Sequence, residues 1–339
     1  MPRLPDVIQF LSSAGKRIYR IPCQAFSAFT ARVYLVLGAG PPTLIDTGSG
    51  QGESCQNILD GIDTVRREFG ESVRIKDVRR IVITHGHSDH YGGLSAVLAR
   101  TDAEVCIHPL DAGRLTACRE SAVVALRNLR RLLVEAGTPP EVTAEFLSHH
   151  GQSSEPIPSV PVNVERLACD EMDGLRVLHT PGHSPGHVCL VADDLLLCGD
   201  HILARTIPQL WPESLRPYQG LGHYLDSLRN VRAIPRIRIA LPGHEPIIEG
   251  LYERIDAIER FQSRRIAQIA DLVRAASQPM TIWDIAGSVY PRTGGFFALL
   301  AFLDTAARVE YLHCRGRLRL ANLDRIEADQ HAAWAYETA

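Results

Sequence analysis

The chain has 339 residues, of which 45% are hydrophobic and 22% are charged, and its formal net charge at neutral pH is −3. This length exceeds that of one small domain and allows a large domain together with a smaller one, with a sizeable core. The slightly negative charge gives no general reason to expect binding to nucleic acid or to an anionic membrane surface.

The N-terminal residues and the cysteines bear on the cellular compartment. The start of the chain lacks the basic residues, apolar core and small-residue cleavage site of a signal peptide. No apolar run reaches the ~18–20 residues that are needed to span a bilayer. The eight cysteines are scattered and form no C-x-x-C pair, which favours reduced, mostly buried thiols over a disulfide framework. We therefore expect a cytoplasmic protein without a membrane partner.

Short apolar runs in the first third of the chain predict strands that end in loops. RIYRIP, ARVYLVLG and PTLIDTG lie within residues 17–46, and the Gly- and Pro-rich break at 38–42 fits a turn between two strands. Residues 51–69 have a helical pattern. VRRIVIT at 78–84 and AEVCIH at 103–108 are short apolar runs that predict buried strands.

Residues 109–150 change to a helical pattern. One run of apolar residues at helical spacing ends at Gly137, and a second helix with proline near its start follows. Strand patterns resume at LRVLHT, HVCLVA and DLLLCGD, and IRIALPG follows the predicted helix HYLDSLRNV. The mixed order predicts an α/β (α+β) protein in which 109–150 is a helical insertion between sheet segments.

From about residue 250 the chain becomes mainly helical. A long amphipathic helix precedes two shorter helices, and YLHCRGRLRLA predicts a tight hairpin around Gly316. Three helices followed by a two-stranded wing is the order of a winged-helix module. We therefore predict one domain at 1–250, which contains the insertion at 109–150, and a smaller winged-helix-like domain at 251–339.

The segment ITHGHSDHYGG at 83–93 concentrates potential metal ligands directly after a predicted buried strand. His85 and His87 can project toward one point, while Asp89 and His90 can face a second point nearby. Imidazole and carboxylate together suit zinc, and also iron or manganese. The alternative interpretation, four solvated loop residues, does not explain why they follow a buried strand so closely.

Three more residues of the same chemical types follow apolar runs elsewhere in the chain. His183 lies in TPGHSPGH, Asp200 in LLLCGDH and His244 in ALPGHEP. In α/β proteins, the loops at the carboxyl ends of strands usually carry the chemistry. The repeated arrangement therefore predicts that these strand ends converge on one edge of a sheet sandwich.

The motifs THGHSDH, PGHSPGH, CGDH and PGHEP together resemble, in order and spacing, the metallo-β-lactamase superfamily, and the resemblance covers about residues 17–250. It implies an αββα sandwich with a dinuclear metal site. By position, His85, His87 and His183 would hold one metal, Asp89, His90 and His244 would hold the other, and Asp200 would bridge them. In IDTG, Asp46 would orient a ligand histidine by accepting its free N–H, although a simple turn aspartate before Gly48 is the alternative.

The chemistry implied by the resemblance is hydrolysis. Two divalent cations, by default zinc with iron or manganese as alternatives, would convert a bridging water to hydroxide and stabilise the developing oxyanion. Asp89 is predicted to be catalytic as well as a ligand, by handling the proton. No serine nucleophile is needed for this chemistry.

The ligand set narrows the substrate only in part. Asp89 together with a bridging Asp200 resembles glyoxalase II-like hydrolases, lactonases and RNA-processing members more than true β-lactamases. We expect a small-molecule thioester as substrate, either acyl-CoA, an acyl carrier protein or a glutathione thioester. The alternatives are an endoribonuclease acting on single-stranded RNA, a lactonase, and a regulatory interaction protein with incidental hydrolysis. A homodimer also remains open.

The RNA alternative depends on the C-terminal domain as a nucleic-acid partner surface. Arg315, Arg317 and Arg319 alternate and would share one face of a strand, as phosphate contacts require. Arginines barely outnumber acidic residues in 251–327, however, and arginines on a wing are commonly a solvated edge that discourages strand pairing. The sequence therefore favours a small-molecule substrate over RNA.

Overall fold

The structure, a computed structural model, describes residues 6–26, 29–152, 160–164 and 167–339, with the side chains of 150–152 outside the description. Parts of the predicted domain at 1–250 therefore lie outside the described residues, whereas the predicted insertion at 109–150 is described except for the side chain of His150.

The strands of the described residues are, in chain order, β1 (Ile8–Leu11), β2 (Arg17–Phe26), β3 (Phe29–Leu37), β4 (Thr43–Ile45), β5 (Arg80–Ile83), β6 (Glu104–Ile107), β7 (Glu171–Met172), β8 (Leu175–His179), β9 (Val188–Ala192), β10 (Leu195–Gly199), β11 (Ile239–Pro242), β12 (Met280–Thr281), β13 (Leu318–Leu320) and β14 (Ala335–Thr338). The helices are α1 (Ser54–Glu68), α2 (Ser88–Tyr91), α3 (Leu94–Leu98), α4 (Pro109–Thr116), α5 (Cys118–Glu135), α6 (Pro140–Gln152), α7 (Leu221–Arg232), α8 (Leu251–Ala275), α9 (Ile282–Val289), α10 (Gly295–Cys314) and α11 (Leu323–Ala328).

The chain divides into two compact units, and each unit is assembled from separate segments. The first unit consists of Met1–Cys118, Pro156–Pro208 and Ser227–Ile255. The second consists of Arg119–Glu155, Gln209–Asp226 and Asp256–Ala339. The division at residue 250 that the sequence suggests follows chain order, so it does not group most of the helical insertion with the C-terminal residues as the compact units do.

Two β-sheets share one hydrophobic core in the first unit. The six-stranded sheet has the order β1-β2-β3-β4-β5-β6, and the five-stranded sheet has the order β11-β10-β9-β8-β7. Ile18, Tyr34 and Val82 of the first sheet are buried in the same cluster as Leu190 and Leu197 of the second. Burial of these side chains is the main force that holds two such sheets together.

The other face of the six-stranded sheet is covered by helix α1. Ile58 and Ile62 of α1 are buried in a second cluster that includes Ile21 and Leu35 of the sheet. Gly61 allows this close approach, because a Cβ atom at this position would lie 2.2 Å from Cγ2 of Ile21. A helix with one apolar stripe therefore seals this side of the sheet.

Four strands end one or two residues before residues that the sequence singled out. The parallel pair β4 and β5 ends before Asp46 and His85, and the parallel pair β10 and β11 ends before Asp200 and His244. Parallel strands end at the same edge of a sheet, so each pair delivers its two residues to one place. His183 lies in the loop between β8 and β9.

The C-terminal part of the second unit differs from the predicted hairpin around Gly316. The first four residues of YLHCRGRLRLA continue α10, which ends at Cys314, and Gly316 follows in a left-handed conformation with φ of 64°. β13 pairs instead with β14, a strand that the sequence analysis missed, and the three-stranded sheet has the order β12-β14-β13. Glycine after a helix end is a common stop signal, and here it outweighs the hairpin pattern.

The three arginines of the supposed wing do not share one strand face. Arg315 follows α10, and its guanidinium lies 4.1 Å from the ring centroid of Tyr311. Arg319 lies on β13, where its Nε is 2.9 Å from a carboxylate oxygen of Glu337 on β14. The arrangement of arginines expected for phosphate contacts was therefore wrong.

Among the described helices, none combines the length and apolarity needed to cross a membrane.

Candidate metal centre

The structure brings all seven of the predicted ligand residues together in the first unit. Their nitrogen and carboxylate oxygen atoms form three overlapping groups, and within each group the atoms lie within 4.8 Å of one another. The groups are His85, His87 and His183, then His85, His90 and Asp200, and then Asp89, His90 and His244. We call the first of these the three-histidine group and the last the Asp89 group; Asp200 belongs to the group between them.

The three-histidine group is formed by two loops. His85 and His87 follow β5, and Nε2 of His85 lies 3.0 Å from Nδ1 of His87. The ring of His183 lies 4.9 Å from that of His85 and 4.5 Å from that of His87, measured between centroids. The three rings thus contact one another. His85 and His183 are buried, and His87 is partly exposed.

The Asp89 group combines the short helix α2 with the loop after β11. Asp89 and His90 lie in the single turn of α2, and Oδ2 of Asp89 is 3.1 Å from Nε2 of His244. The Nδ1–H of His244 donates to the backbone carbonyl of Thr30 at 2.9 Å. This hydrogen bond turns the other ring nitrogen of His244 toward Asp89.

Asp200 contacts residues from both groups. Its Oδ1 lies 3.4 Å from Nε2 of His90, and its Oδ2 lies 3.5 Å from Nε2 of His244 and 3.7 Å from Nε2 of His183. The carboxylate comes directly after β10, which Gly199 ends with φ of 46°. Asp200 is therefore placed where a bridging ligand would have to be.

Asp46 and Thr84 orient one histidine of each group. Oδ2 of Asp46 accepts from Nδ1 of His90 at 2.7 Å and from the hydroxyl of Thr84 at 2.9 Å. Since that hydroxyl gives its one hydrogen to Asp46, it can only accept from Nδ1 of His85, 3.1 Å away. Both imidazoles thus keep a proton on Nδ1, and each turns Nε2 toward the other ligand residues.

The donor set fits divalent cations. Nε2 of His90 and Oδ1 of Asp200 are buried 3.4 Å from each other, and neither has another hydrogen-bond partner among the described residues. Two ligand atoms that each lie ~2.1 Å from a tetrahedral zinc ion are ~3.4 Å apart. The spacings of 3.0 Å between His85 and His87 and 3.5 Å between His244 and Asp200 are close to that value. Nitrogen and carboxylate oxygen donors of this kind suit zinc, iron and manganese.

The two groups differ in the charge of their side chains. Burial lowers the pKa of His85 well below its usual value, and burial and the neighbouring His183 lower the pKa of His87 to about 3. Burial also opposes charge on His90, but the carboxylates of Asp200, Asp46 and Asp89 raise its pKa well above the usual value. Burial therefore favours neutral imidazoles in the three-histidine group, whereas the carboxylates around His90 favour its protonated form.

The carboxylates of the centre are ionised. Burial tends to raise the pKa of Asp89, but His90 and His244 lower it to about 2. Burial likewise acts against ionisation of Asp200, and His244 and His90 outweigh it and keep the pKa of Asp200 well below its usual range. Both residues are thus in the form that binds cations.

Sequence analysis did not identify every residue that supports the ligands. His187, which lies at the end of PGHSPGH, accepts a hydrogen bond on Nε2 from the backbone N–H of Asp200 at 3.1 Å. Its Nδ1 therefore carries the proton and donates to Thr180 at 2.8 Å. Thr84 was missed although it directly precedes His85, because a single threonine at a strand end has no distinctive spacing.

Comparisons with known proteins agree with this geometry. The family model described as the metallo-beta-lactamase superfamily matches residues 28–268. The probable metallo-hydrolase YqjP of Bacillus subtilis is 26% identical over 306 residues, which cover 86% of this chain and 90% of that protein. The atrochrysone carboxyl ACP thioesterase of Passalora fulva is 24% identical over 327 residues, which cover 91% of this chain and 78% of that protein.

A solved structure supports the fold. The crystal structure of a metallo-beta-lactamase family protein from Thermus thermophilus superposes with a TM-score of 0.70, at 24% sequence identity, and covers 95% of this chain and 98% of that one. The predicted α/β sandwich of the metallo-β-lactamase type, with a helical C-terminal region, is thereby confirmed.

Proposed function

The chain belongs to the metallo-β-lactamase superfamily, and from this premise we propose that it is a thioester hydrolase that uses two divalent cations, with zinc as the metal. The observation that carries the proposal is the convergence of seven ligand side chains, with the Asp200 carboxylate between the two groups. His85, His87 and His183 would hold one cation, Asp89, His90 and His244 the other, and Asp200 would contact both. When bound, the cations supply an activated water and stabilise negative charge on the substrate.

The side chains of the protein account for orientation and proton handling. Asp46 and Thr84 each accept a hydrogen bond from Nδ1, of His90 and His85 respectively, so that the two Nε2 atoms face the proposed cations as ligand atoms. Asp89 is a carboxylate at neutral pH, because its pKa lies at about 2. It can therefore accept a proton on Oδ2 at the start of the reaction but has none to donate. The ligand shell needs no serine or cysteine nucleophile.

The choice of a thioester rests on chemistry and on one relative. A thioester carbonyl is an electrophile of the kind that a metal-activated water attacks, and a thiolate is a good leaving group that needs little protonation. The relative from Passalora fulva, which aligns over most of this chain, is named as a thioesterase acting on an acyl carrier protein. Acyl-CoA, an acyl carrier protein and glutathione thioesters of the glyoxalase II type all share this bond.

The C-terminal part of the second unit is proposed to be a winged-helix-like module. In support, α9 and α10 are followed by β13 and β14, which pair with each other and with β12 in one small sheet. Helix α9 begins with a capping box, in which Thr281 and Asp284 exchange side-chain and backbone hydrogen bonds. This local order gives the module a defined start after the long helix α8.

The proposal is tested with a substrate panel on protein of known metal content. Zinc-loaded protein is assayed with an acyl-CoA, an acylated acyl carrier protein, an S-acylglutathione, a lactone and a single-stranded RNA. We expect thioester hydrolysis to exceed the other reactions by at least tenfold in kcat/KM. His244→Ala, which removes one proposed ligand, is the test variant, and the exposed His331→Ala is the matched control.

The outcomes separate the parts of the proposal. Two zinc ions per wild-type chain would support the dinuclear centre. Two iron or manganese ions per chain would change only the identity of the metal in the proposal. Faster cleavage of RNA or of the lactone than of any thioester would overturn the substrate class. Equal activity of wild type and His244→Ala in every assay would overturn the metal-dependent mechanism.

A further inference from the structure

The first turn of helix α4 reaches both loops that carry the three-histidine group. Asp111 is the third residue of α4, and its side chain is completely buried. Its Oδ2 accepts the backbone N–H of Gly86 at 2.9 Å and the hydroxyl of Ser184 at 2.7 Å. Gly86 lies between His85 and His87, and Ser184 follows His183. One carboxylate oxygen thus connects the two loops, at positions directly adjacent to the three histidines.

The packing around Asp111 leaves little room for the loops to shift. A Cβ atom on Gly186 would lie 2.8 Å from the backbone nitrogen of Asp111 and 2.9 Å from its Cβ and Cγ. A Cβ atom on Gly86 would lie 3.2 Å from Cγ of Asp111 and 2.8 Å from Cγ of Arg114. Both loops therefore approach the helix as closely as glycine permits.

The residue before α4 holds the second loop at another point. The ring of His108, which caps the helix, stacks on the ring of His179 with centroids 4.0 Å apart and an interplanar angle of 13°. Nε2–H of His179 donates to the backbone carbonyl of Pro185 at 2.8 Å. The loop that contains His183 is thus fixed to the start of α4 on both sides of Ser184.

We propose that Asp111 is a positioning residue that holds the loops of His85, His87 and His183 at the separation needed to bind one metal ion. This inference rests on the proposed function, in which these three histidines are ligands. Asp111 is not one of the proposed ligands, and we argue its role from its contacts with the backbone of Gly86 and the side chain of Ser184. Partners of this kind typically change metal affinity by about 10–100-fold when they are removed.

The test isolates the three-histidine group. In a His244→Ala background the Asp89 group is broken, so zinc binding reports mainly on the three-histidine group. Metal-stripped protein is titrated with Zn²⁺ in competition with a chromophoric chelator. We expect Asp111→Leu, which removes both acceptor contacts at similar volume, to weaken zinc binding by about 10–100-fold in this background. In a His87→Ala background, where the Asp89 group remains, we expect a change of less than about threefold.

Two further variants keep the test decisive. Asp111→Asn retains an oxygen acceptor at the same place, and we expect its zinc affinity to stay within about fivefold of the parent. Ser184→Ala removes only one of the two hydrogen bonds, and we expect a loss of about threefold to tenfold. Circular dichroism and thermal melting verify that each variant is folded. If Asp111→Leu does not fold, Ser184→Ala decides the question.

The possible results distinguish this inference from the proposed function. If folded Asp111→Leu, or Ser184→Ala in its place, binds zinc as tightly as its parent, the positioning role is overturned while the metal centre stands. An equal loss in both backgrounds also overturns it, because the effect would then be general destabilisation. A wild-type chain that binds no zinc, iron or manganese overturns both proposals.

Discussion

The three-histidine group and the Asp89 group lie side by side but reach charge balance in opposite ways. In the first, burial and the neighbouring histidines keep the pKa values of His85 and His87 low, so these imidazoles are neutral. In the second, Asp200 and Asp89 raise the pKa of His244 despite its burial, and His90 is raised further. One group offers lone pairs, whereas the other is a network of ion pairs.

This difference has a consequence for metal binding. A cation that binds neutral imidazoles displaces no proton from them. The raised pKa values of His90 and His244 favour a proton on these rings, and a cation that binds there competes with that proton. We therefore infer that the two groups differ in the pH dependence of their affinity even though they share Asp200.

The largest expected effect comes from removing the residue that both groups share. Asp200→Asn keeps the shape but loses the charge that contacts His90, His183 and His244. Because loss of a supporting partner already costs about 10–100-fold, we expect kcat/KM to fall by at least ~100-fold and the metal content to fall below two ions per chain. Steady-state kinetics and elemental analysis measure both quantities.

Asp63→Asn is the matched control for that prediction, since Asp63 lies on α1 with 59% of its side chain exposed. It should leave activity and metal content unchanged. Full metal content and activity in Asp200→Asn would show that the two groups are independent sites and that Asp200 does not act as a shared ligand.

The second prediction separates the groups by pH. His244→Ala retains the three-histidine group and His87→Ala retains His90 with Asp89, so zinc titrations of the two variants can be compared at pH 6, 7 and 8. Because the pKa of His90 is raised well above its usual value, its proton competes with zinc, so affinity should increase as the pH rises. The variant that retains His85 and His87 should change much less, because both pKa values lie below this range. Equal slopes would contradict the assigned charges.

The grouping of the seven candidate ligand residues could be predicted from sequence because each one follows a short apolar run. His85, Asp200 and His244 all lie within two residues of a strand end, and neighbouring parallel strands bring such positions together. Most strands of the sandwich were predicted for the same reason, because buried strands between turns leave a strong local pattern, whereas the edge strands β1 and β7 were not predicted. What is local in the sequence was therefore predictable.

The residues that were missed depend on tertiary contacts. Asp111 is a single aspartate in the first turn of a short helix, and nothing near it in sequence indicates that it contacts Gly86 and Ser184. The strand β14 was missed because its partner β13 lies across helix α11 and only pairing distinguishes these few residues from a loop. The division of the chain into units likewise depends on contacts between distant segments.

The third prediction concerns the residues that orient one histidine in each group. In Asp46→Asn, the backbone N–H of Thr84 needs the remaining oxygen, so the amide nitrogen takes the place of Oδ2 and faces Nδ1 of His90. His90 would then carry its proton on Nε2, which cannot bind a cation. We expect zinc affinity of the Asp89 group to fall by about 10–100-fold.

Thr84→Val is the counterpart for the three-histidine group, because it removes the acceptor for Nδ1 of His85. We expect a loss of about tenfold that is larger in the His244→Ala background than in the His87→Ala background. Asp46→Asn should show the reverse preference. If both variants weakened both groups equally, Asp46 and Thr84 would act as one unit, and the comparison between the groups would lose its structural basis.

The smallest expected effect concerns stability, and it tests whether the low pKa values around the three-histidine group extend beyond the ligands. Burial and the stacked His179 lower the pKa of His108 to about 4. An unfolded histidine titrates near 6.5, so between pH 6.5 and 4 the unfolded chain binds more protons and the free energy of unfolding must fall with acidification. His108→Asn, which keeps a helix-capping side chain, should reduce this loss by ~1 kcal/mol. Urea unfolding of metal-stripped wild type and variant at pH 7, 5.5 and 4.5 measures it. An identical pH dependence in both proteins would mean that the pKa of His108 is not lowered in the folded state. The lowered histidine pKa values would then be confined to His85 and His87.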